Sequence, residues 1–274
     1  MNHNLRVLTG NGSGDSPLRR GVYILPNLFT TGGLFAGFYS VIQTLGEHYE
    51  LAAVMILVAH MFDGLDGRIA RLTRTTSKFG VEYDSLADLI AFGVAPGILV
   101  YQWALAPWGT WGWLAASLYV TCGALRLARF NVQVESVEKR AFVGLPIPAA
   151  ADMVAATVLL YYFLGGEGET HKHVILLGLI YALATLMVSS VPFYSFKDLR
   201  WRRRQPFGLL IALIVVIMLT IGQPQLMLFT GVFLYILSGP VWWLWRKLHR
   251  PVAVAPAATA EATARSDRRS KTAR

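Results

Sequence analysis

Four of the chain's eight aspartates, Asp63, Asp66, Asp84 and Asp88, fall within the 26 residues DGLDGRIARLTRTTSKFGVEYDSLAD. Successive helical residues turn by about 100°, so Asp66, Gly67, Ala70 and Arg71 share a face with Asp63. Asp84 and Asp88, spaced i and i+4, stack one turn apart at the start of a second helix. Two helices joined by a short connection therefore bring four carboxylates together. Bare carboxylates at such spacing repel one another, and divalent cations are the simplest means of holding them. With no cysteine nearby and no histidine besides His60, the donors are hard oxygens that favour Mg²⁺ or Mn²⁺ over zinc. Such ions keep positions open for phosphate oxygens, and a pair of them can clamp both sides of a phosphoryl group during displacement. Gly67 and Gly80 leave room for a bulky phosphate-bearing ligand, Arg71 offers a fork of donors, and Ser77 adds a hydroxyl. Taken singly, Gly67 also reads as a packing glycine, Gly80 as a turn and Arg71 as an inside-positive anchor. Grouped next to apolar runs, where carboxylates are costly and rare, the four aspartates point to chemistry.

The elements that must position these residues are apolar. The chain of 274 residues is 54% hydrophobic and 15% charged, with a mean hydropathy of +0.46. That composition excludes an ordinary water-soluble globular protein and predicts an all-α, polytopic membrane helix bundle. A spanning helix needs about 20 apolar residues. Eight stretches qualify, at roughly 26–44, 49–67, 84–105, 109–129, 146–164, 171–191, 206–222 and 224–245. The net charge of +9 suggests nucleic acid at first sight, but the basic residues concentrate in alternate connections, at 19–20, 68–78, 126–140, 197–204 and 246–274. The opposite connections, GEHYE, APWGT, GGEGETHKH and GQPQ, hold only Lys172. The positive-inside rule then puts both termini and the aspartate loop in the cytoplasm, as an even number of spans requires.

Residues 1–20 read as a mobile cytoplasmic leader, 21–248 as one integral membrane domain and 249–274 as a disordered basic tail drawn to anionic head groups. The single cysteine, Cys122, excludes an internal disulfide and reads as a small buried apolar residue. Trp242, Trp243 and Trp245 fit an interfacial aromatic belt, and GLFAG at 33–37 fits a helix-packing pattern of small residues.

The aspartate stretch resembles, without a gap, the signature of the CDP-alcohol phosphotransferase family, D-x2-D-G-x2-A-R-x8-G-x3-D-x3-D, through Asp63, Asp66, Gly67, Ala70, Arg71, Gly80, Asp84 and Asp88. The resemblance implies a pair of divalent ions on Asp63, Asp66, Asp84 and Asp88. It also implies that Gly67, Arg71, Ser77 and Gly80 surround the CDP pyrophosphate, that Asn27 and Thr30 lie beside the nucleotide, and that Asp88 is the base. LPNLFTTGGLFAGF, SKFGVEYDSLADLIAFGVAP, ALRLARFN, FVGLPIPAAA and YSFKDL extend the likeness from about residue 25 to 197, toward membrane-integral members that use serine as acceptor. The implied reaction is attack of the L-serine hydroxyl on the lipid-linked phosphorus of CDP-diacylglycerol, and the family implies a homodimer.

A serine pocket needs a cation for the carboxylate, and Arg126, Arg129 and Asn131 stand at the inner end of the fourth span. The two arginines suit ordinary inside-positive anchoring equally well. Asp152 suits a partner for these arginines, an acceptor for the ammonium, or a contact between helices. Other acceptors in the same family, glycerol 3-phosphate or inositol 3-phosphate, would keep the aspartate motif and ask for a more basic pocket. A cation transporter would instead place its charges near the bilayer midplane on interrupted helices.

Overall fold

The computed structural model describes residues 17–73, 77–135, 144–170, 172–193, 218 and 221–249. The leader up to residue 16, most of the expected span at 206–222, the YSFKDL segment and the tail beyond 249 lie outside them. Among the described residues all regular structure is helical, in keeping with the all-α expectation. The chain divides into two units, 1–240 and 241–274.

Helix α1 (Pro17–Leu45) runs through Pro26. Pro26 therefore lies inside this helix. Proline has no N–H to return to the preceding turn, so α1 continues through Pro26 with one backbone hydrogen bond fewer. On the following turn Thr31 Oγ1 donates to Asn27 O at 2.7 Å, and Thr30 Oγ1 lies 3.2 Å from Pro26 O. A tight turn with Glu47 at φ 62° reverses the chain. Helix α2 (Tyr49–Thr73) then returns antiparallel to α1, tied to it by Ser40 Oγ donating to Ala52 O at 2.8 Å. This hairpin brings the beginning of α1 beside the end of α2, where the first two aspartates lie.

Helix α3 (Lys78–Trp108) is continuous but not uniform. It is α-helical through Asp88, widens to π geometry over Leu89–Val94, and does so again over Tyr101–Leu105. Widened turns leave backbone carbonyls poorly served and concentrate at functional sites. Tyr119 OH donates to Phe92 O at 3.1 Å within the first of them. Gly37 makes the α1–α3 approach possible, since a β-carbon there would lie 2.6 Å from Ala91 Cα. GLFAG thus packs helices within one chain.

Helix α4 (Thr110–Glu135) runs back beside α3. Gly144, at φ 93°, leads into α5 (Ile147–Phe163). A side chain at Gly144 would meet Met187 O at 2.5 Å. The entry to α5 is pinned to the end of α6 (Val174–Val188) by Leu145 N–H donating to Leu186 O at 3.0 Å. The buried alanines 150, 151, 155 and 156 let helices approach α5 closely. Phe92, Trp103, Tyr119 and Tyr49 fill the core as its largest enclosed rings, and Cys122 is buried.

Among the described residues two helices are long and apolar enough to cross a bilayer, α3 at mean hydropathy 1.7 and α7 (Pro224–Leu248) at 1.6. Helices α5 and α6 are apolar but shorter. The second unit contains the end of α7, where Arg246 lies over the Trp242 ring at 3.6 Å and Lys247 over Trp243 at 5.1 Å.

Candidate metal centre and substrate cleft

Carboxylate oxygens of Asp63 and Asp66 on α2 and of Asp84 on α3 all lie within 4.8 Å of one another. Asp88, one turn further along α3, lines the same cleft, together with Thr30, Gly33, Ala59, Ala87, Ala91 and Phe92. Asp66 is buried, and the other three are partly so. No lysine or arginine among the described residues forms an ion pair with any of the four. Three hard oxygen donors converging without a side-chain countercharge fit a hard divalent cation.

The local sequence explains the convergence. Ser77 caps α3, its hydroxyl accepting from Gly80 N–H at 3.0 Å, which starts the helix so that Asp84 and Asp88 face α2. Gly80 keeps the approach open: a β-carbon there would lie 3.1 Å from Ser77 Oγ and 3.3 Å from Asn27 Oδ1. Asn27 and Ser77 are thus brought together around Gly80. Gly67 has open space around its α-carbon. Arg71 is exposed and reaches back, its Nε donating to Gly67 O at 2.8 Å.

Thr30 has a second duty beyond its place on α1. Its hydroxyl lies 2.7 Å from Asp66 Oδ2, so it orients a carboxylate of the cluster. Its neighbour Thr31 meets Tyr83 OH at 2.9 Å, joining α1 to α3 one residue before Asp84. Neither tie is visible in the sequence, because residues 30 and 66 or 31 and 83 share no local spacing rule.

The three residues suggested for a serine pocket all lie on α4 and differ in burial and partners. Arg126 is partly buried, and its charge acts on Asp88. Its Nε is buried without a hydrogen-bond partner. Arg129 is exposed. Asn131 is engaged with Ser85, donating from Nδ2 to Oγ at 3.0 Å, which fastens the end of α4 to α3. Asp152 pairs with neither arginine but with His60, Nδ1 to Oδ2 at 2.7 Å, so of its three readings the structure bears the contact between helices. An aspartate within the apolar run of α5 was the one sequence signal for it.

Comparison with known proteins agrees with this arrangement. A CDP-diacylglycerol–serine O-phosphatidyltransferase of Helicobacter pylori is 40% identical over 226 residues, 81% of this chain and 92% of the relative. The enzyme of that name from Mycobacterium tuberculosis is 32% identical over 230 residues, 81% of this chain and 79% of the relative. An archaetidylserine synthase of Methanothermobacter thermautotrophicus is 36% identical over 171 residues, 62% of this chain and 69% of the relative. Residues 23–193 match the CDP-alcohol phosphatidyltransferase family as a whole, including every aspartate of the cleft. A cleft of acidic donors suited to a hard cation, set among helices and joined to that match, makes this protein a member of the CDP-alcohol phosphatidyltransferase family.

Proposed function

We propose that the chain transfers the phosphatidyl group of CDP-diacylglycerol to the hydroxyl of L-serine, giving phosphatidylserine and CMP. The observation that carries the reading is the convergence of Asp63, Asp66 and Asp84 within 4.8 Å, with Asp88 lining the same cleft. The names of the relatives support serine as the acceptor.

Asp63, Asp66, Asp84 and Asp88 hold two divalent ions, Mg²⁺ or Mn²⁺. When bound, the metal supplies charge neutralisation on the phosphates undergoing displacement. Thr30 fixes one oxygen of Asp66. Gly67 and Gly80 leave room for the pyrophosphate, with Asn27, Arg71 and Ser77 around it. Serine enters with its carboxylate toward Arg126, whose unpartnered Nε is a free donor; Arg129 and Asn131 flank that entrance. Asp88 accepts the proton of the serine hydroxyl. The serine oxygen bonds to the lipid-linked phosphorus, the bond from that phosphorus to the bridging oxygen breaks, and CMP departs with that oxygen.

The site serves a cytoplasmic mouth of an eight-span domain at 21–248, in a homodimer. The alternation of basic connections supports the orientation. The paired helices α1–α2 and α3–α4 support the count, since each hairpin returns its ends to the acidic side.

An acceptor screen tests the assignment. Purified protein with CDP-diacylglycerol and Mn²⁺ is offered labelled serine, glycerol 3-phosphate and inositol 3-phosphate separately. Label enters the lipid from serine; incorporation from a phosphorylated acceptor instead replaces this reading with another member of the family.

A further inference from the structure

The acidic turn of α2 is held from two sides. From α1, Thr30 Oγ1 reaches Asp66 Oδ2 at 2.7 Å. From α5, Asp152 Oδ2 reaches His60 Nδ1 at 2.7 Å. His60 lies one turn before Asp63, and its ring meets the edge of Phe92, a wall of the acidic cleft, with centroids 5.9 Å apart. The two polar ties bracket Asp63.

The tie to α5 is costly as a packing device. The Asp152 side chain is only 11% exposed, and its Oδ1 is buried without a hydrogen-bond partner. The two helices are packed against each other, and the neighbouring Ile56 and Ala59 on α2 and Ala151 and Ala155 on α5 are all buried. A buried polar pair with an unserved oxygen adds little to such an interface compared with apolar side chains. What it adds is direction: a hydrogen bond fixes the rotation of α2 about its axis, where alanine contacts tolerate sliding. Rotation of α2 moves Asp63 and Asp66 relative to Asp84 on α3, and therefore sets the donor geometry.

We propose that His60 and Asp152 are positioning residues that set the divalent-cation affinity of the acidic cleft by fixing the rotation of α2. The inference rests on the metal-binding reading given above. Groups that orient metal ligands through hydrogen bonds typically change affinity by roughly 10–100-fold when removed.

The test is direct Mn²⁺ binding, followed by the loss of the free-ion electron paramagnetic resonance signal, on full-length protein in detergent without substrate. His60→Leu removes the tie, and its Kd for Mn²⁺ rises by roughly 10–100-fold. His60→Asn keeps an amide nitrogen near the Nδ1 position, and its Kd stays within about threefold of the unaltered protein. That rescue distinguishes orientation from mere bulk, and if His60→Leu fails to fold, Asp152→Asn against His60→Asn makes the same comparison. Asp152→Asn weakens binding, because it replaces a charged acceptor by a neutral one. Equal affinity in His60→Leu and the unaltered protein, or an equal loss in His60→Asn and His60→Leu, overturns the positioning role alone. No Mn²⁺ binding by the unaltered protein overturns both this inference and the metal-dependent function.

Discussion

The hydroxyl of Thr30 and the Oδ2 of Asp66 lie 2.7 Å apart, across 36 residues of sequence and between two antiparallel helices. A hydrogen bond to a charged group contributes about 1.5–3 kcal/mol. In this cleft it also decides which Asp66 oxygen is free to meet a cation. Thr30→Val, of nearly the same shape but without the donor, is expected to raise the Mn²⁺ concentration for half-maximal activity by roughly tenfold, within the range for groups that orient metal ligands. Thr30→Ser retains the hydroxyl and stays close to the original protein. A metal titration of initial rates measures the difference.

The three clustered aspartates share one duty, so their losses should not add. Asp66→Asn and Asp84→Asn are each expected to reduce kcat by at least about a thousandfold, and the double variant by little more, as for residues that act as a unit. Chelation of the original protein with EDTA has the same effect and is reversed by adding Mn²⁺ or Mg²⁺. Rates for the single and double variants, and before and after metal is restored, check both statements.

Gly80 faces Ser77 and Asn27 at distances that a methyl group would tighten to 3.1 and 3.3 Å. Gly80→Ala is expected to raise KM for CDP-diacylglycerol several-fold while leaving KM for serine nearly unchanged. The two constants come from one pair of saturation series. A change confined to serine would put Gly80 on the acceptor side.

Arg126 has a buried Nε without a partner, and its charge acts on Asp88. Arg126→Lys keeps the charge but removes the planar fork, and is expected to raise KM for serine by about tenfold, the scale of one lost charge-assisted hydrogen bond. KM for the lipid donor moves much less. Arg129→Ala, at an exposed position, changes both constants by less than about threefold. The same kinetic series measures these shifts.

The sequence was most informative where chemistry follows local spacing. Asp63 with Asp66, and Asp84 with Asp88, lie on helical repeats within single helices, so their convergence was readable before any coordinates. The same holds for α3 and α7, whose apolar runs announce long helices, and for the enclosure of Cys122. Ties between distant helices were not readable, because Thr30–Asp66 and His60–Asp152 depend on how helices rotate against one another. The π geometry after Asp88 leaves no composition signal, since LIAFGV suits an α-helix equally well. Arg126, Arg129 and Asn131 are close in sequence, but nothing local announces that Asn131 binds Ser85 on α3.

The central claim is that this acidic cleft uses a divalent ion to pass a phosphatidyl group from CDP-diacylglycerol to serine. The most direct measurement is CMP release from CDP-diacylglycerol by the purified protein, with serine and Mn²⁺ omitted in turn. The account predicts release only when both are present, in step with the formation of phosphatidylserine. Release at an undiminished rate without serine, or after the metal has been chelated, would contradict it.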